Sequence, residues 1–358
     1  YGRGWESQSP RGKWYWLREY MEGHEDWDQF MVDTILACTT CELCNLRCSA
    51  SLPIEPSWMT LRGKLIDEDK KMTIPPFEMM AAALTKEGNI WAGYRKSRTA
   101  WFPKELWAKH GPSYKAKVAY FAGCTASHVE TDIAIAAVRL LDAAGVGFTY
   151  AGENENCCGT PMLVCGKWDV FKETMKKNIE AIKKVGADTV ITSCPACDMM
   201  WRQIYPRWAE KLGLEYDIKA KHYSEVIAEQ IKAGKFRFPD IGQKIKVTLH
   251  DSCHIGRVSS VYDAPRDLIR AIPGVELVEM EHNREWAHCC GSVLTLIKEP
   301  PIAAEIGKAR MDEAMATGAE KILALCPCCQ FQFRVTAEKK GLPIETIDLA
   351  HFAASTMG

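Results

Sequence analysis

Two rhythms of apolar residues divide the chain. Up to about residue 115 apolar positions recur three and four apart, as on a helix face; from residue 117 short apolar runs alternate with amphipathic stretches. "SPRGKWYWLREYMEG" predicts a helix capped by Ser9, with Pro10 in its first turn and Trp14, Leu17 and Met21 along one face. "PSWMTLRGKLID" predicts a second, with Ser57 as cap and Leu61 and Leu65 inward, and "PPFEMMAAALTKEG" a third that stops at Gly88. Strand patterns are nearly absent here, so residues 1–115 are expected to form a small all-helical domain. Eight of the twelve tryptophans fall in it, and they are read as core or subunit-interface packing.

Beyond the linker "GPSYKAK" the texture is strand–helix alternation. "KVAYFAGC" is a strand ending on Cys124, followed by a helix over "HVETDIAIAAVRLLDAAG" and the strand "GFTY". A helix over "WDVFKETMKKNIEAIKKVG" and the strand "DTVITSC", ending on Cys194, come next. The order then returns with "IKVTLHDSC", "VELVEM" and "EKILALC", and "GADTVITSCPAC" aligns with "GAEKILALCPCC" at an offset of 132 residues. An internal duplication follows, of an α/β unit of about 110 residues. The expected architecture is two duplicated cysteine-rich α/β domains, at 116–240 and 241–358, joined through "AGKFRFPDIGQK".

Cysteines mark both copies. The first carries Cys124, the doublet Cys157–Cys158, and Cys194-x-x-Cys197; the second carries Cys253, the doublet Cys289–Cys290, and Cys326-x-x-Cys329. The first and last groups stand at carboxyl ends of predicted strands, where open α/β sheets place their ligand sites, so one pocket can collect all five sulfurs of a copy. Five thiolates exceed a tetrahedral zinc site and an ordinary cubane cluster, and soft thiolates in such number point to iron–sulfur chemistry. A doublet of two buried cysteines, one acting only as a small hydrophobe, is the competing account, and it fails to explain two doublets in matched frames. The glycine after each doublet, Gly159 and Gly291, is expected to make room for a bulky inorganic group.

A third group lies in the helical region, Cys38-x-x-Cys41-x-x-Cys44-x-x-x-Cys48. Its spacing indicates a [4Fe–4S] ferredoxin motif, whereas a zinc knuckle normally has two separated pairs. Ser49 stands where proline usually follows the fourth cysteine. In two-cluster ferredoxins that fourth cysteine serves the other cluster.

Composition narrows the class. A formal charge of −1 gives no electrostatic reason to expect nucleic acid or a membrane surface, and no apolar run approaches the ~18 residues of a spanning helix. Sixteen cysteines in a chain of 358 residues do not fit a small secreted disulfide scaffold. A reducing compartment is expected, the cytoplasm or the cytoplasmic face of a membrane complex. No phosphate-cradling glycine loop follows a strand.

The motifs "AGCTASH", "CCGTPM", "SCPAC", "HDSCHIGR", "CCGSVL" and "LCPCC", spread over about 118–335, resemble the cysteine-rich CCG proteins. These are the catalytic subunits of heterodisulfide reductases and their relatives in lactate, glycolate and electron-transfer-flavoprotein oxidation. The resemblance implies one noncubane [4Fe–4S] cluster per five-cysteine frame, with the substrate disulfide between the two. A ferredoxin-type cubane cluster would feed them single electrons. It implies as partners other redox subunits (a flavin or iron–sulfur donor, a membrane cytochrome b-type subunit) and a thiol, disulfide or sulfur-carrier substrate. The alternative it leaves open is an electron relay between a flavoprotein and a quinone-reducing membrane partner. "GWESQSPRGKWYWLREYMEG" is similar to the segment after a first ferredoxin motif in larger members. That likeness implies an upstream motif cut away, disordered or carried by another chain. Cys48 would then serve a cluster mostly outside this chain, and the Cys38/Cys41/Cys44 cluster would draw its fourth ligand from there.

Cys165 is expected to be a buried thiol and Cys328 a reserve thiol between two ligands. His128, His254 and His288 are read as sulfur hydrogen-bond donors or packing, and His254 and His288 are also candidates for proton donor to a departing thiolate. Arg257 is a candidate for thiolate charge compensation, for an anionic substrate, or for a surface salt bridge.

Overall fold

The computed structural model describes residues 4–71, 73–292 and 300–358. Tyr1–Arg3 of the opening segment and Val293–Leu294 of the second doublet motif lie outside them.

The amino-terminal region is helical. Ser9 caps Pro10–Met21 by accepting the Gly12 N–H at 3.0 Å. Trp14 and Leu17 pack against the core, Trp14 with its ring 4.9 Å from Trp58, whereas Met21 is exposed and Gly12 and Lys13 are the buried members of that helix. The next helix of the sequence reading starts earlier than expected, at Ile54. Ser57 lies inside it with its hydroxyl turned back to the Pro53 carbonyl, so it is not the cap. The third spans Pro75–Glu87 and ends at Gly88 in the left-handed region. Trp27, Trp58, Phe77 and Leu84 fill the core between these helices.

Two parallel four-stranded sheets follow. The first comprises β1 (Val118–Phe121), β2 (Thr149–Tyr150), β3 (Thr189–Thr192) and β4 (Lys219–His222), in the order β2-β1-β3-β4. The second comprises β5 (Ile245–Leu249), β6 (Val275–Val278), β7 (Lys321–Ala324) and β8 (Glu345–Asp348), in the order β6-β5-β7-β8. In both, strand order reverses between the first and third strands, which places the ligand crevice at the carboxyl ends of β1/β3 and β5/β7. Those are the ends that carry Cys124, Cys194, Cys253 and Cys326.

The edge strands β4 and β8 were not expected from the sequence. "KAKH" and "ETID" carry charges and lack an apolar run, as edge strands that resist further pairing do.

The two units pack reciprocally. The helix Tyr223–Lys232 of the first rests on Asp263–Arg270 of the second, and Leu349–Ser355 of the second rests on Thr131–Ala143 of the first. Equivalent elements thus exchange contacts, as around an approximate twofold axis.

Candidate iron–sulfur site

Cysteines of both frames line one cavity: Cys124, Cys157, Cys158, Cys194 and Cys197 from the first, and Cys253, Cys289, Cys326 and Cys329 from the second. The tenth, Cys290, lies behind its wall with Sγ 3.1 Å from Cys329 Sγ. Within the first frame Cys124 Sγ is 3.3 Å from Cys157 Sγ, and Cys158 hydrogen-bonds Cys157 and Cys197. The frames meet where the Cys194 and Cys326 thiols lie side by side.

This arrangement polarises the thiols. Cys157 and Cys197 donate to Cys158 and hold it well below the ordinary thiol range, and Cys197 and Cys326 do the same for Cys194. Cys290 and Cys326 hold Cys329 down at about 6. Each frame therefore contains sulfur biased toward the thiolate, the form that ligates metal.

The backbone carrying the first frame is fixed from outside. Glu155 accepts the N–H groups of Ala122 and Gly123, both at 3.0 Å, and is paired with Arg98 at 3.0 Å; both side chains are fully buried. Burial raises Glu155 to about 7 in spite of Arg98. Gly88 O, at the end of the third helix, accepts both the Cys157 N–H at 2.7 Å and Arg98 at 3.1 Å. Asn178 holds the Cys157 carbonyl and Tyr205 the Cys158 carbonyl, each at 2.8 Å.

The doublet glycines act differently from the expectation. Gly159 and Gly291 have φ of +83° and +85°, and added Cβ atoms would meet the Phe171 ring and Ala303 O respectively, not the cavity. They serve the turn out of the doublet. The glycine that clears the cavity is Gly123, whose Cβ would stand 2.9 Å from Cys197 Sγ.

The ferredoxin-type motif divides. Cys38, Cys41 and Cys44 line a second cavity together, and Cys48 does not line it. Cys41 lies against Cys289, so this loop reaches the second frame directly. Arg257 joins them, donating to Cys41 O at 2.5 Å, Ala287 O at 2.7 Å and Glu285 O at 2.9 Å. It is a staple between two loops, and its bonded partners are carbonyls, not carboxylates.

The remaining candidates sort by their contacts. Cys165 is fully buried and turned to Met162 O, away from both cavities. Cys328 lines the central cavity with Sγ 3.5 Å from Thr125 Oγ1 of the other repeat. Burial lowers the three histidines that flank cysteines, His128 to about 4, so they are neutral at pH 7. His254 contacts Thr40 O at 3.2 Å, and His288 stacks on His282 at 4.1 Å. The histidine that shares a 4.8 Å neighbourhood with frame sulfurs is another, His250, beside Cys290 and Cys329. Its place three residues before Cys253 was the available signal, and Glu155, two before the first doublet, had no sequence signal at all.

These residues fit iron–sulfur clusters. Lys13 and Arg62 are buried beside Cys38 (3% and 1% exposed), yet they donate to carbonyls: Lys13 to Ala37 O, Arg62 to Val164 O and Ile35 O. Among the described residues neither has a carboxylate hydrogen-bond partner. Buried cations need a counter-charge, and a thiolate-held cluster supplies one.

Comparison with known proteins agrees. The cysteine-rich CCG domain matches at residues 118–202 and again at 247–334. The chain is 32% identical to a subunit of the dihydromethanophenazine:CoB–CoM heterodisulfide reductase of Methanosarcina mazei, over 91% of this chain and 78% of that one. It is 32% identical to the probable iron-sulfur-binding oxidoreductase FadF of Bacillus subtilis and 28% to the EtfAB:quinone oxidoreductase of Syntrophomonas wolfei. It spans 43% and 42% of their lengths. A hypothetical protein from Helicobacter pylori shares the fold, with a TM-score of 0.59 at 11% identity, over 97% of this chain and 66% of that one. Among the described residues no helix is long and apolar enough to cross a membrane. With two CCG regions and this identity along most of its length, the chain belongs to the CCG family of iron–sulfur oxidoreductase subunits, alongside its heterodisulfide reductase relative.

Proposed function

We propose that this chain is the disulfide-converting subunit of a redox complex. Its two five-cysteine frames hold paired noncubane [4Fe–4S] clusters, and the ferredoxin-type motif feeds them. One observation carries the reading: both frames open on a single cavity and touch through Cys194 and Cys326, so a substrate sulfur pair placed there faces both at once. A site that only passes electrons has no need of two equivalent faces on one chamber. When bound, the clusters supply single electrons and iron for sulfur to bind. Splitting a disulfide takes two electrons and two protons and yields two thiols.

The chain's own residues do the rest. Phe77, Ile90, Ala122 and Ala126 give the chamber an apolar wall that excludes water, while Thr125 and Cys328 offer a hydroxyl and a thiol at the seam between repeats. The contact of Cys41 with Cys289 makes the second frame the entry point from the ferredoxin-type loop. Partners are an electron-donating flavin or iron–sulfur subunit and a thiol or disulfide substrate, a reading supported by the heterodisulfide reductase named for the Methanosarcina mazei relative.

The likeness to the EtfAB:quinone oxidoreductase supports a second reading, a relay between a flavoprotein and a quinone-reducing partner. Anaerobic EPR of the oxidised holoprotein with a panel of thiols separates them. A new signal that broadens with magnetic-isotope-labelled thiol sulfur is the expected result. Spectra indifferent to every thiol, with clusters that only reduce and reoxidise, would establish the relay.

A further inference from the structure

The two frames are built alike but surrounded differently. Three residues before Cys124 stands Phe121, and three residues before Cys253 stands His250; both are buried at the ends of β1 and β5. Each meets an aromatic ring in the same place. Phe121 lies edge-on to Trp201 at 5.4 Å, and His250 edge-on to Phe333 at 4.9 Å. Trp201 and Phe333 are themselves 132 residues apart, the repeat offset, so the imidazole replaces a phenyl ring against an equivalent aromatic partner. A second exchange accompanies it at the same offset: Asn178, which holds the Cys157 carbonyl, is replaced by Arg310.

Arg310 orients the imidazole. Its Nε–H donates to His250 Nδ1 at 3.2 Å, while Nη1 donates both to His282 O at 2.8 Å and to Glu313 at 2.6 Å. A ring nitrogen that accepts from an arginine carries no proton, so the proton of the neutral ring sits on Nε2. That N–H is buried and finds no partner among the described residues. A buried donor left unpaired costs about 1–3 kcal/mol, so such a group calls for an acceptor. A His250 ring nitrogen and the Sγ atoms of Cys290 and Cys329 lie within 4.8 Å of one another.

We propose that the Arg310–His250 pair is a tuning device present only in the second repeat. It presents Nε2–H to the sulfurs of Cys290 and Cys329 and raises the reduction potential of the second-frame cluster above that of the first. The inference rests on the cluster reading above. A donor to ligand sulfur stabilises the reduced form, because the added electron increases negative charge on that sulfur. Phe121 offers the first frame no such donor. The asymmetry also has a direction: the frame with the donor is the one that Cys41 touches through Cys289, so the electron-accepting cluster faces the entry point.

The test is an EPR-monitored redox titration of the full-length, cluster-loaded chain. In H250F, which copies the first repeat, one cluster's reduced-to-oxidised ratio at fixed potential is expected to fall about tenfold, about 59 mV for one electron, while the other stays unchanged. His250→Gln keeps an N–H and should recover most of the shift. If H250F fails to hold its iron, pulsed EPR on wild type labelled with ¹⁵N-histidine decides. An exchangeable proton with weak histidine nitrogen coupling at one cluster supports the device, and absence of both overturns it. Two fully loaded clusters with unchanged potentials in H250F overturn this inference alone. A wild-type protein without paired cluster signals overturns the functional reading and this inference with it.

Discussion

Cys194 and Cys326, equivalent residues of the two repeats, lie side by side at the seam of the molecule. A residue that touches its own equivalent lies on a symmetry axis, and the reciprocal helix contacts Tyr223–Lys232 with Asp263–Arg270 and Leu349–Ser355 with Thr131–Ala143 fit the same axis. Duplication thus did more than supply two cysteine frames. It turned them toward each other.

Separate frames predict separable losses. Cys158→Ala should remove about four irons per chain and one cluster signal, leaving the second frame loaded. Cys290→Ala should do the converse, and C165A should change neither, since Cys165 faces Met162 O. Iron and acid-labile sulfide counts with EPR check all three. Loss of every iron from either single variant would mean that the frames share one metal centre.

Glu155 is predicted to be the costliest non-cysteine residue near the first frame. Removing its carboxylate leaves Arg98 buried without its ion-pair partner and two backbone N–H groups, of Ala122 and Gly123, without their acceptor. Breaking one side of a buried pair costs about 3–5 kcal/mol, so E155A should lower stability by that order in urea unfolding and weaken iron retention in the first frame alone. The double variant R98M/E155Q should recover part of the stability, because no buried charge is then left unpaired.

Much of this was legible in the sequence, and the gaps have physical causes. The two frames, the duplication and the helical region follow from cysteine spacing and apolar rhythm, which report local geometry. The strands β4 and β8 were missed because "KAKH" and "ETID" take their order from neighbouring strands, not from an apolar run. His250 and Glu155 were missed because their partners, Arg310 and Arg98, stand 60 and 57 residues away. The doublet glycines were read as clearance for a cluster, but a positive φ cannot be seen in a sequence, and that clearance belongs to Gly123.

Gly123 gives the third prediction. Its φ of +75° disfavours any side chain by about 1–2 kcal/mol, and alanine there would press on Cys197 Sγ. G123A should therefore fold with modest loss of stability but lose iron from the first frame. Gly145, with φ of +71° and nothing within 4 Å of an added Cβ, is the control: G145A should carry the backbone strain without the iron loss. Equal iron content in the two variants would refute the clearance argument.

Lys13 tests the charge argument at the ferredoxin-type motif, because it should behave oppositely in the two states of the protein. Buried among helices and, among the described residues, bonded only to Ala37 O, its ammonium costs stability when the cysteines nearby are neutral thiols. Burial also lowers its pKa. Methionine keeps the volume and removes the charge. In iron-free protein, K13M should therefore be as stable as wild type or more so by up to about 2 kcal/mol in urea unfolding. In loaded protein the same change removes the counter-charge of a cluster held by Cys38, Cys41 and Cys44. The ferredoxin-type EPR signal should then titrate at lower potential and bleach faster under a chelator. A variant destabilised equally in both states would mean that Lys13 is a packing residue, and the cluster's claim on that cavity would lose its electrostatic support.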